Sequence, residues 1–153
     1  MHVADSKPYV ADSRRLTAAG AKKMMATAIE RAQKDGIAIV VAIVDSGGHI
    51  LLLERMDGGR FHSVHSALAK AVSAASNRRS TGPRGAQGQP LDVQHALGLA
   101  LAAGPERFTA MEGGYPIIVG GECIGGIGVA GGTFEFDEEV AKAAIEAIGG
   151  KAA

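Results

Sequence analysis

The stretch Ala38-Ile39-Val40-Val41-Ala42-Ile43-Val44-Asp45-Ser46-Gly47-Gly48-His49-Ile50-Leu51-Leu52-Leu53-Glu54-Arg55-Met56 decides the fold class. Its first seven residues are apolar and mostly β-branched, the pattern of a strand buried on both faces. Asp45 to His49 is turn chemistry, and Ile50 to Met56 reads as the hairpin partner. Two strands joined by so short a connection pair antiparallel, because a parallel neighbour needs a long crossover.

Upstream, Ala18, Ala21, Met25, Ala28, Ile29 and Ala32 mark one face of a helix, with Gly36 placed to end it. Downstream, Asp57 to Arg60 is a break, and a helix is expected from His62 to Asn77. Residues 78–90 are a loop by composition, and Val93, Leu97 and Leu101 carry a helix from Leu91 to Ala102. A second hairpin joins Pro116–Val119 to Glu122–Ala130 through Gly120-Gly121, a turn that needs positive φ. Asp137 is the expected N-cap of the last helix, which Gly149 ends. The order predicts a mainly antiparallel sheet covered by helices, an α+β domain over residues 15–150 behind an N-terminal arm, 1–14.

Composition narrows the function. The 153 residues include 22 glycines and 28 alanines, but aromatics are 4% and tryptophan is absent. Lys+Arg and Asp+Glu balance at 16 each, so nucleic acid is not an expected partner. No apolar run is long enough for a membrane span, and no leader is legible, so the expected location is cytoplasmic. A single cysteine, Cys123, excludes an internal disulfide and a multi-cysteine zinc site.

Gly126-Ile127-Gly128-Val129-Ala130-Gly131 matches a dinucleotide fingerprint, but no helix opens on it. Glycine within a strand better suits close approach by a neighbour, and nine glycines crowd residues 113–132. On the His62–Asn77 helix the expected apolar arc is Val64, Leu68, Ala71, Val72 and Ala75. Its opposite face is short and polar, with His62, His65, Ser66, Lys70, Ser73, Ser76 and Asn77, and suits a pocket or a subunit interface. His62 and His65 lie at i, i+3 and can ligate iron or exchange protons. Lys70 can bind a carboxylate or act as a base, Arg78, Arg79 and Arg84 can clamp an anion, and Glu112 is an acid before Gly113-Gly114. The bland alternatives are exposed histidines, a solvated lysine and a flexible loop. Glu135 and Glu138 read as a helix start answering the dipole before they read as a metal pair, His49 as an exposed turn residue, and Cys123 as a small hydrophobe.

The ordered segments Ile39–Gly48, Arg55-Met56-Asp57-Gly58, Ala69-Lys70-Ala71, Gly113-Gly114-Tyr115-Pro116-Ile117 and Ile124–Gly131 resemble the GlcG/HbpS-like family over about residues 14–149. The resemblance implies a profilin-like three-layer α/β/α sandwich with a five-stranded antiparallel sheet. It also implies homo-oligomers (dimers, tetramers or octamers), and relatives that bind haem. Lys70 and Gly113–Ile117, which include Gly114 and Tyr115, would line the family's groove, whereas His62 and His65 depart from its pattern. Besides an oligomeric accessory protein with no small-molecule chemistry, its Ser- and His-rich face buried against another subunit, two functions remain open. One is a small-ligand-binding protein with haem as the candidate, its iron on His62 or His65 and its propionates on Lys70 or on Arg78 and Arg79. The other is a cofactor-independent isomerase, lyase or hydrolase using histidine acid–base chemistry on an anionic substrate.

Overall fold

A computed structural model describes residues 9–152. The N-terminal arm lies partly outside the described residues. Its end is tied down where Arg14 donates from its backbone N–H to Glu122 and from its guanidinium to the carbonyls of Val119 and Gly120.

Eight elements follow: α1 (Ala18–Asp35), β1 (Val40–Asp45), β2 (Ile50–Arg55), α2 (His62–Asn77), α3 (Val93–Ala103), β3 (Gly114–Val119), β4 (Glu122–Ala130) and α4 (Phe134–Ala147). Local chemistry sets their ends. Thr17 caps α1, and Gly36 closes it at φ 69°, a left-handed conformation that suits a residue without Cβ. Asp92 caps α3. Thr133, and not Asp137, caps α4; the helix begins one turn earlier than expected, which places Asp137 within it and buries its carboxylate. Gly120 and Gly121 take φ 58° and 79°, as the two-residue turn requires.

The strands form one antiparallel sheet in the order β2-β1-β4-β3. The expectation of five strands is corrected to four among the described residues. On the outer edge of β3, Ile118 meets Lys151 in an isolated bridge, and one bridge is not a strand. β3 also carries Pro116, a residue suited to a sheet edge.

Helices cover both faces. Strand alternation sends Ile39, Val41, Ile43, Ile117, Ile127 and Val129 toward α1 and α4, where Met24, Met25, Val140 and Ile145 complete a bulky core. Val40, Ala42 and Val44 point the other way, to Ala67, Ala71 and Ala75 of α2.

Candidate functional site

The site is built around α2, whose seat explains the glycines. A Cβ on Gly128 would fall inside the carbonyl oxygen of Ala67, one on Gly126 inside that of Ala71, and one on Gly114 inside that of Lys70. The backbone of α2 therefore lies directly on β4 and β3. No space for a ligand remains between α2 and this hairpin. This seating also rotates the expected faces. Ser63, Ala67, Lys70, Ala71 and Ala74 are buried, whereas Val64, Leu68 and Val72 are only half-buried on its flank. Only small side chains fit where backbones touch, so the larger valines and leucine are displaced sideways.

Lys70 is 5% exposed. Its ammonium donates to the Val129 carbonyl at 2.7 Å and lies 3.6 Å from an Asp137 carboxylate oxygen. The other Asp137 oxygen accepts from the Gly132 N–H at 2.9 Å. Burial opposes charge at both ends: it pulls the Lys70 pKa down against the attraction of Asp137, and pushes the Asp137 pKa up against that of Lys70. Both groups are held inside, joining α2 to α4 beside Gly113.

The other face of α2 is open. The segment Gly104–Ala110 crosses it as a strap, pinned at two points. The Ser73 hydroxyl accepts from the Thr109 N–H at 2.9 Å. The His65 Nδ1 lies 2.6 Å from a Glu106 carboxylate oxygen. Glu106 holds a φ of 65°, a left-handed conformation that non-glycine residues adopt at a cost. An ionised carboxylate only accepts, so it places the imidazole proton on Nδ1 and leaves the Nε2 lone pair free. His49 shows the same arrangement, with its Nδ1 3.2 Å from Asp45 Oδ1. That carboxylate also accepts from the N–H groups of Gly47 and His49; burial raises the Asp45 pKa, but these bonds outweigh it and hold it below the ordinary value.

Between these two imidazole–carboxylate pairs lies a cavity of about 350 Å³. His49, Ile50, Leu68, Val72, Pro105 and Glu106 are among its walls, and Arg107 stands on its rim. His65 stands beside it, one turn before Leu68 and bonded to Glu106. Apolar side chains set among a few fixed polar groups are the usual form of a small-molecule site.

The structure scatters the other expected site residues. His62 is exposed and stacks on Phe61, ring centroids 4.4 Å apart. Arg78 ends α2 and lines a hollow with Ser46 and Cys123. Arg79 and Arg84 donate to the Ala86 and Gly88 carbonyls, holding their own loop closed. Glu112 is half-buried near Lys70, and Gly113 and Gly114 pack against α2 and α4. Tyr115 belongs to the opposite core, where its hydroxyl donates to Glu138 at 3.2 Å; burial and that carboxylate push its pKa up. Sequence reasoning missed Glu106 and Arg107, which sit in a segment without periodicity, and treated His49 as a turn residue. The Asp-Ser-Gly-Gly-His spacing, an Asx-turn that returns its carboxylate to the histidine, was the one usable signal. Among the described residues no three His, Cys, Asp or Glu side chains gather to hold a metal ion, and no helix is long and apolar enough to cross a membrane.

The family model described as "Haem degrading protein HbpS-like" matches residues 16–146. The chain belongs to the HbpS-like family. Protein GlcG of Escherichia coli K12 is 37% identical over 110 residues, covering 72% of this chain and 77% of that one. The crystal structure of Klebsiella pneumoniae protein ORFY has a TM-score of 0.79 and 32% identity over 92% of this chain and 95% of that one. The PduOC–haem complex has a TM-score of 0.77 and 28% identity over 90% of this chain and 97% of that one.

Proposed function

We propose that this HbpS-like protein binds haem in the cavity between the β1–β2 turn and the strap. The observation that carries this reading is a cavity with His49 in its wall and His65 on the helix turn beside it, each imidazole with Nδ1 against a carboxylate. A carboxylate behind a ligating histidine fixes its tautomer and raises its basicity. The likeness to the PduOC–haem complex supports the choice of ligand. The donor set fits the group: His65 and His49 offer nitrogen to iron, Ile50, Leu68, Val72 and Pro105 give an apolar wall, and Arg107 offers a cation to a propionate. Bound haem would supply redox and ligand-exchange chemistry at iron, and the Asp45 and Glu106 carboxylates would orient the imidazoles that hold it.

Titration of the purified protein with haemin is expected to give a saturable, shifted Soret band. His65→Ala is expected to weaken binding about tenfold or more, as loss of a ligand or its support does, and His49→Ala/His65→Ala to remove the band shift. An unchanged band in the double variant overturns the assignment. Self-association is part of the same reading. α3 buries none of its residues and carries no Lys, Arg, Asp or Glu, so Val93, Leu97 and Leu101 present an apolar surface. Sedimentation of Leu97→Glu/Leu101→Glu is expected to show a smaller species than the parent.

A further inference from the structure

The strap has a second side. Beyond it, the last turn of α2, the loop before α3 and α3 itself enclose another cavity, of about 380 Å³. Its lining mixes two chemistries. Leu91, Leu99 and Phe108 supply its apolar surface, and Ser76 and Asn77 of α2, with Gln87 and Gln89 of the loop, supply its hydrogen-bonding groups. Arg107 reaches its edge, and among the described residues makes no salt bridge. The polar wall is built, not incidental. Ser73, 2% exposed, holds the strap against α2 through the Thr109 N–H, and this fixes Phe108 over the cavity. Arg79, bonded to Ala86, and Arg84, bonded to Gly88, hold the loop wall closed.

We propose that this second cavity binds a small organic carboxylate: a compact apolar body against Phe108 and Leu99, a hydrogen-bonding group toward Asn77 and Ser76, and the carboxylate on Arg107. The charge assignment follows from the lining. Arg107 is the free cation at the cavity, no carboxylate lines it, and a guanidinium recognises a carboxylate through two parallel bonds. The amide and hydroxyl wall disfavours a wholly apolar guest, because filling the cavity with one would leave those groups unpaired. The site lies across the strap from the imidazole pairs; Arg107 borders both cavities, so the test uses the protein without haem.

The probes are benzoate and its neutral analogue benzyl alcohol, titrated into the 15N-labelled apo protein and followed by chemical shift. Benzoate is expected to move the side-chain amide of Asn77 and the backbone amide of Phe108, and to bind about tenfold or more tightly than benzyl alcohol, the scale of one charge-assisted bond. Arg107→Gln is expected to bring benzoate down to the level of benzyl alcohol. Ala103→Phe, an exposed position on the α3 wall, is expected to fill the cavity and abolish both; Ser76→Phe does the same from α2 if the first variant fails to fold. Equal binding of the two probes, binding that survives both filling variants, or shifts confined to Val93, Leu97 and Leu101 overturns the proposal. The His49→Ala protein, whose strap keeps both pins, is expected to retain benzoate binding, and the Ala103→Phe protein to retain the haemin band shift, so loss of the haem reading and loss of this one are separate results.

Discussion

The two faces of the sheet are packed by opposite means. Toward α1 and α4 the strands present Ile39, Ile43, Ile117, Ile127 and Val129, and the helices answer with Met24, Met25, Val140 and Ile145. Toward α2, β3 and β4 present Gly114, Gly126 and Gly128 beside Val40, Ala42 and Val44 of β1, and the helix answers with alanines and its own backbone. One face is stabilised by side-chain volume, the other by its absence. The thick face buries apolar area, which drives folding. The thin face brings α2 close enough for its far side to remain open to the strap and the cavities.

The comparison can be broken most forcefully at the Lys70–Asp137 pair, a polar link between the faces. Lys70→Met leaves Asp137 buried without its cation, and is expected to cost ~3–5 kcal/mol at neutral pH by urea unfolding. Asp137 binds its proton more tightly folded than unfolded, so its contribution is full below the ordinary carboxylate pKa and is lost as pH rises through the raised folded value. Without Lys70 that value rises further, so the deficit is expected to shrink as pH falls through it. A deficit that does not change with pH would show that Asp137 stays ionised. Next, Ile127→Ala hollows the thick face and is expected to cost ~2–5 kcal/mol. Its neighbour Gly128→Ala adds one carbon to the thin face and is expected to cost ~1–3 kcal/mol by forcing α2 away. The pair sharpens the contrast, because the two losses come from changes of opposite volume; a neutral Gly128→Ala would mean that α2 is not seated as described. The smallest effect is at the strap. Ser73→Ala removes the acceptor for the Thr109 N–H and is expected to cost ~1 kcal/mol, with faster hydrogen exchange at Thr109.

These regions were unequally legible in the sequence. The β1–β2 hairpin and α2, from His62 to Asn77, follow from periodicity and turn residues, because both are local properties. The glycines of β4 signalled close approach, but not by what. Only the three-dimensional sheet shows that the neighbour is α2, and hence that Ala67 and Ala71 face inward while Val72 and Leu68 do not. The N-cap of α4 was misplaced because Asp137 has the right chemistry for a cap. Its long-range partner Lys70 lies 67 positions away and leaves no mark on local pattern. The same holds for the site. His65 was legible as a histidine on a polar helix face, but Glu106 reaches it from 41 positions away, through a backbone conformation that no composition rule predicts for glutamate.

The meeting of α2 with β4 has a consequence for how the outer surface can vary. Alternate residues of a strand repeat about every 6.7 Å, and four residues of a helix advance about 6 Å. Gly126 and Gly128, two apart, therefore receive Ala71 and Ala67, four apart, as two combs of nearly equal pitch. The helix is indexed along the strand by main-chain spacing, with no outward-facing side chain taking part. His65, Ser76 and Asn77 can be exchanged for other chemistry while their anchor points stay fixed in space. The fold thereby separates the part of α2 that sets position from the part that faces the strap and the cavities, and the second can diversify without disturbing the first.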